Sequence, residues 1–191
     1  MNCFVVMAVR PVDEGKSRLA GTIDQNDRKN LNINMFRHVF DIVKKVVPAQ
    51  NIVVISRSSA LLDEARANGA HGELEIGHEL NAALDQASKV AVERGATSLL
   101  TLSSDLPFLE TADVNAMLEA DGDVVIATDR VRIGTNALLI RRPFAMPYRY
   151  GGESLAAHCA AALEAGLNIT VIERPGLARD IDTPDDLAEL R

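Results

Sequence analysis

Tryptophan is absent from this chain, cysteine occurs twice, histidine four times, and basic residues are outnumbered, with 20 Lys and Arg against 27 Asp and Glu in 191 residues. Each shortage excludes something. Cys3 and Cys159 are too few for a disulfide framework and match no metal-ligand spacing, which fits a reducing cytoplasm. A formal net charge of −7 leaves no basic footprint for nucleic acid or a membrane surface. A small anionic ligand is still allowed if basic residues gather locally. The opening apolar run, Cys3 to Val9, is too short to span a membrane and lacks a signal peptide's charged start, so a cytoplasmic location is expected. At 47% apolar and 25% charged residues, the chain suits one domain, residues 1–191, with a full core.

What is present is a regular alternation. Apolar runs of strand length occur at Asn2–Val9, Asn51–Ser56, Leu99–Leu102 and Asp123–Thr128, as expected of strands covered on both faces. Between them lie helical patterns. One starts at Thr22 or Asp24 and runs towards Pro48, with Phe36, Phe40, Val43 and Val47 on one stripe. A second ends at Gly69, and a third follows Gly77 and ends at Gly95. A short strand is expected near Leu74, another at Asn168–Glu173, and Thr183-Pro184-Asp185-Asp186 marks a final helix start. Strand and helix in alternation imply an α/β fold with a largely parallel sheet.

Several segments carry candidate chemistry. Pro107 ends the Leu99–Leu102 strand and leaves Asp105 at its carboxyl end, where open α/β sheets bind ligands; Asp105 is either a turn cap or a metal ligand beside phosphates. Arg10, Lys16 and Arg18 share the loop after the first strand. Gly15-Lys16-Ser17 resembles the end of a P-loop, but Arg10 stands where that motif needs glycine, so the loop is either a basic wrap over nucleotide phosphates or solvated charge. Asn81 sits in the first turn of a helix, where it caps or meets a base or ribose. Gly134-Thr135-Asn136 begins a strand, in a hairpin or as a set of donors to substrate. Gly151 and Gly152 precede a helix that carries Ser154 just inside, a phosphate cradle or a plain loop. Asp180 and Asp182 fall before the Thr183 cap, two apart on an extended stretch, and can share a metal.

Taken in order, Lys16-Ser17-Arg18-Leu19, Leu80-Asn81-Ala82-Ala83-Leu84, Asp105-Leu106-Pro107, Gly134-Thr135-Asn136-Ala137-Leu138-Leu139 and Asp180-Ile181-Asp182-Thr183-Pro184-Asp185-Asp186-Leu187 resemble one family along nearly the whole chain. It is the guanylyltransferase family of deazaflavin cofactor (coenzyme F-420) biosynthesis, in the superfamily that includes the molybdenum-cofactor guanylyltransferases. The resemblance implies a three-layer α/β/α nucleotide-diphospho-sugar transferase (Rossmann-like) fold with a mixed, mostly parallel sheet.

It also implies the reaction: GTP is joined to a three-carbon phosphorylated acid, namely 2-phospho-L-lactate, phosphoenolpyruvate or 3-phosphoglycerate, and pyrophosphate is released. Arg10, Lys16 and Arg18 would then face the nucleotide phosphates, with Lys16, Arg18 and Asp105 catalytic, and Asn81 would face the guanosine. Asp105, Asp180 and Asp182 would hold Mg2+. Thr135, Gly151, Gly152 and Ser154 would bind the acceptor. An acceptor phosphate is ionised near neutral pH, so the reaction needs positioning and cations rather than a general base. A sister transferase using CTP or a pterin or sugar acceptor, and a non-catalytic nucleotide-binding module, are the alternatives; a homo-oligomer is compatible with all three.

Overall fold

A computed structural model describes residues 2–190. In β1 (Cys3–Ala8) successive side chains leave the strand on opposite sides, so Val5 and Met7 enter one core and Phe4 and Val6 the other. The same division runs through β2 (Ile52–Ser56) and β4 (Ser98–Leu102), which explains why these segments read as unbroken apolar runs. One face is covered by α1 (Gln25–Lys44), α2 (Ser59–Ala67) and α4 (Thr111–Glu119). The other is covered by α3 (Leu80–Glu93) and α5 (Ser154–Glu164). The result is the expected three-layer α/β/α arrangement.

The sheet has seven strands in the order β3-β2-β1-β4-β6-β5-β7, adding β3 (His71–Leu74), β5 (Val124–Thr128), β6 (Thr135–Ile140) and β7 (Ile169–Ile172) to those above. Among the described strands β6 alone runs opposite, antiparallel to both β4 and β5. Asp129 to Gly134 therefore link β5 and β6 as a hairpin. This reversal positions the site: β6 begins at the sheet edge where β1, β4 and β5 end.

Helix starts follow local chemistry. Asp24 caps α1 by accepting from the Asp27 N–H at 2.8 Å, and α1 ends at Lys44, short of Pro48, with a 3-10 turn over Ala49–Asn51. Thr183 caps α7 (Pro184–Ala188), and Asp186 returns the bond by accepting from the Thr183 N–H at 2.8 Å. Between β7 and α7 lies α6 (Pro175–Ala178), a single helical turn.

Candidate active site

A cleft of about 580 Å³ opens over the carboxyl ends of β1, β4 and β5 and the start of β6. Arg10, Lys16, Arg18, Asp105, Thr135, Gly151, Gly152, Ser154, Asp180 and Asp182 all line it. Residues spread over most of the chain thus meet in one place. Asn81 does not line it.

One wall is built around Lys16. Its backbone is left-handed, φ 58° and ψ 38°, a conformation that costs a non-glycine residue about 1–2 kcal/mol. That turn carries the side chain inward, where only 7% of it is exposed. The ammonium donates to Asp105 Oδ2 and, at 2.9 Å, to Asp182 Oδ1. Burial pulls the Lys16 pKa down, but the charges of Asp105 and then Asp182 outweigh it, so the net shift is upward and the group stays protonated. Arg18, far more exposed, lies with Nη1 3.4 Å from Asp182 Oδ2. Gly15 leaves its space to α1, since a Cβ there would stand 2.5 Å from Asn32 Nδ2, and Asn32 also donates to Val12 O. Gly15 therefore packs the loop against a helix.

Asp180 completes the acidic corner. Carboxylate oxygens of Asp105, Asp180 and Asp182 lie within 4.8 Å of one another. Burial, and next the charge of Asp105, hold the Asp180 pKa above the ordinary carboxylate range, against a hydrogen bond from Asn136 Nδ2 at 3.1 Å. Asp105 and Asp182 pair with the buried ammonium while Asp180 has no basic partner among the described residues, and three carboxylates against Lys16 and Arg18 leave the corner an excess of negative charge. All donors are hard oxygens from three acidic side chains, the set that suits Mg2+ rather than a thiolate- or imidazole-seeking metal. The Asp182 arm is held from behind by Asp186, which accepts from the Asp182 N–H at 3.1 Å and is itself paired with Arg130.

The opposite wall is neutral. Thr135 and Ser154 are both almost fully buried, while Gly151 and Gly152 are exposed. A Cβ on either glycine would meet nothing within 4 Å, and neither has a positive φ. Neither packing nor turn geometry demands glycine there; what the absent side chains leave is open room beside the start of α5. Underneath, Tyr150 donates to or accepts from Thr101 Oγ1 at 2.5 Å and lies edge-on to His158, with ring centroids 4.7 Å apart.

Asn81, expected to face the guanosine, has its amide turned to the backbone of Tyr150. Its Nδ2 donates to Tyr150 O at 3.0 Å, and its Oδ1 accepts from Tyr150 N at 2.8 Å. Both halves of the amide are spent on the segment leading into Gly151 and Gly152. Sequence reasoning also missed Asn136 as the support of Asp180 and His158 beneath Thr135. Asn136 offered a signal, being a polar residue in an otherwise apolar strand; His158, in an alanine-rich helix, offered none.

The fold is that of the nucleotidyltransferases. A Desulfovibrio desulfuricans G20 protein described as a nucleotide-diphospho-sugar transferase shares the fold with a TM-score of 0.73 at 16% identity, over 99% of this chain and 86% of that one. A nucleotidyl transferase from Methanothermobacter does so with a TM-score of 0.65 at 16% identity, over 99% and 95%. Residues 3–191 match the family described as "Guanylyl transferase CofC like", and the chain belongs to that family. It is 42% identical, over 100% of its length and 94% of the relative's, to phosphoenolpyruvate guanylyltransferase of Rubrobacter xylanophilus. To 3-phospho-D-glycerate guanylyltransferase of Colwellia psychrerythraea it is 30% identical, over 98% and 90%.

Proposed function

We propose that this chain transfers GMP from GTP to phosphoenolpyruvate and releases pyrophosphate, as a single catalytic domain acting in coenzyme F-420 biosynthesis. The observation that carries the reading is the meeting, in one cleft, of the Lys16-bridged carboxylates with the neutral set of Thr135, Gly151, Gly152 and Ser154. Phosphoenolpyruvate is preferred over 3-phospho-D-glycerate and 2-phospho-L-lactate because the relative at 42% identity bears that name.

An oxygen of the acceptor phosphate attacks the α-phosphorus of GTP. The bond from that phosphorus to its bridging oxygen breaks, and pyrophosphate leaves with the electron pair. No proton needs removing, so the chain's task is to align two anions and offset their charge. Lys16 and Arg18 face the triphosphate, and Arg10 lies at its edge by the end of β1. Thr135, the Gly151 and Gly152 amides and Ser154 at the start of α5 hold the acceptor, where the helix N-terminus favours anions. Asp105, Asp180 and Asp182 would hold Mg2+, which supplies positive charge at the α-phosphate and the leaving pyrophosphate. Asn81, in this reading, fixes the acceptor wall and does not touch guanine.

No described helix is long and apolar enough to cross a membrane, and both cysteines are free, which supports a reaction in the reducing cytoplasm. The test is pyrophosphate release from GTP or CTP with Mg2+ and each of the three acceptors, with the product identified by mass. Turnover with GTP and phosphoenolpyruvate is expected. Turnover with CTP alone would move the chain to a sister activity, and GTP binding without turnover would leave a binding module.

A further inference from the structure

His158, fully buried on α5, bonds to Arg149, Thr135 and the Ser154 backbone, and these partners leave it one protonation pattern. The backbone N–H of Arg149 donates to Nε2 at 2.9 Å. A backbone N–H has no other role available, so Nε2 carries a lone pair and the neutral ring keeps its proton on Nδ1. Nδ1 lies 3.0 Å from Thr135 Oγ1. The Nδ1–H therefore faces the hydroxyl and the backbone of Ser154, which also bonds the ring, so the hydroxyl cannot donate to His158 and its own hydrogen must point elsewhere. Thr135 lines the cleft, and among the described residues its hydroxyl has no protein acceptor.

We propose that His158 is a positioning residue: locked as the Nδ1–H tautomer, it makes the Thr135 hydroxyl a one-way donor aimed at an oxyanion of the acceptor acid. A free threonine hydroxyl could spend its hydrogen on a histidine lone pair. Facing Nδ1–H it cannot, so the hydrogen stays available to the cleft, where a charged acceptor such as a phosphate or carboxylate oxygen makes the stronger bond. Burial supports the lock by pushing the His158 pKa down to about 4, which keeps the ring neutral at working pH. The surroundings are rigid as well. Tyr150 packs edge-on against the ring, and its backbone is pinned by Asn81, so Arg149 and its N–H are held in register.

The inference rests on the acceptor-side reading above, and its two measurements separate the failure of each. The first is long-range nitrogen NMR of the intact, histidine-labelled protein, which reads the tautomer without any turnover. A proton on Nδ1 of His158 is expected; a proton on Nε2 overturns the proposal whatever the reaction. The second is steady-state kinetics with the acceptor that gives product. His158→Gln can still accept from Arg149 but cannot reach Thr135, and should raise KM for the acceptor about tenfold with KM for GTP unchanged. His158→Asn, whose amide lies near the former Nδ1, should recover most of the loss. Thr135→Val should show the same rise, and His158→Gln added to it should cost nothing more. Additive effects in the double variant, or equal rises in both KM values with a fall in Tm, would make His158 merely structural and overturn the proposal. Absence of turnover with every acceptor would sink the guanylyl-transfer reading, while the NMR result would still decide the lock.

Discussion

Asn81 and Tyr150, 69 positions apart in sequence, are joined by a closed pair of hydrogen bonds in which one side-chain amide imitates a neighbouring strand, donating to the Tyr150 carbonyl and accepting from its N–H. The pair ties the first turn of α3 to the segment that delivers Gly151, Gly152 and Ser154. Asn81→Asp keeps the accepting half but sets a carboxylate against a carbonyl. It should lower stability by about 1–3 kcal/mol and raise KM for the acceptor more than KM for GTP. Denaturant unfolding and steady-state kinetics on one preparation check both.

Asp105→Asn removes the charge that Lys16 faces while keeping the side-chain shape. Pyrophosphate release should fall by about 10²–10³-fold or more, the scale of losing a group that stabilises developing charge, with the circular-dichroism spectrum unchanged. An unimpaired variant would remove Asp105 from the mechanism. Lys16→Met should lose activity on the same scale.

Because the Lys16 ammonium already sits between Asp105 and Asp182, added cation and lysine draw on the same carboxylate oxygens. Mg2+ should raise the Tm of the wild-type protein, the rise growing with the logarithm of Mg2+ concentration once it exceeds Kd, and chelator should reverse the rise. In Asp182→Asn that shift should shrink or vanish, and a full-sized shift there would place the metal elsewhere. Chelation should also stop guanylyl transfer.

Acid should destabilise the fold through His158. Its pKa is pushed down to about 4 from 6.5 by burial, so between those values the unfolded chain binds a proton that the native one refuses. Stability from this group is fully present above pH 6.5 and is lost as pH falls towards 4, by at most about 3 kcal/mol. Asp180 acts with the opposite sign: burial first and Asp105 second raise its pKa, so its contribution is greatest in acid and is lost as pH rises through that raised value. Urea midpoints across this range should fall with acid in the wild type and fall less in His158→Gln.

Much of the fold was legible because strands covered on both faces leave unbroken apolar runs, as β1, β2, β4 and β5 do. The α6 turn was not, since Pro175–Ala178 is too short to show a helical period. The start of β6 was read at Thr135 and Asn136, but their burial was not, since both are polar and bond to His158, Leu177 and Asp180, residues distant in sequence. In the site, the carboxylates were readable as residues stranded at element ends. The direction of the Asn81 amide was not, because it is decided by a backbone segment 69 residues further along.

The reversed strand β6 has one more consequence. It enters the sheet from the cleft side, so the link of residues 129–134 is a surface lip standing between two fixed strands, and Val131 and Ile133 on it are exposed. The lip is tied to both sides of the cleft: Arg130 pairs with Asp186 behind Asp182, and Ile133 O accepts from the Leu155 N–H at the start of α5, at 3.0 Å. A change in this lip would therefore reach the Asp182 arm and the start of α5 as well as the mouth of the cleft.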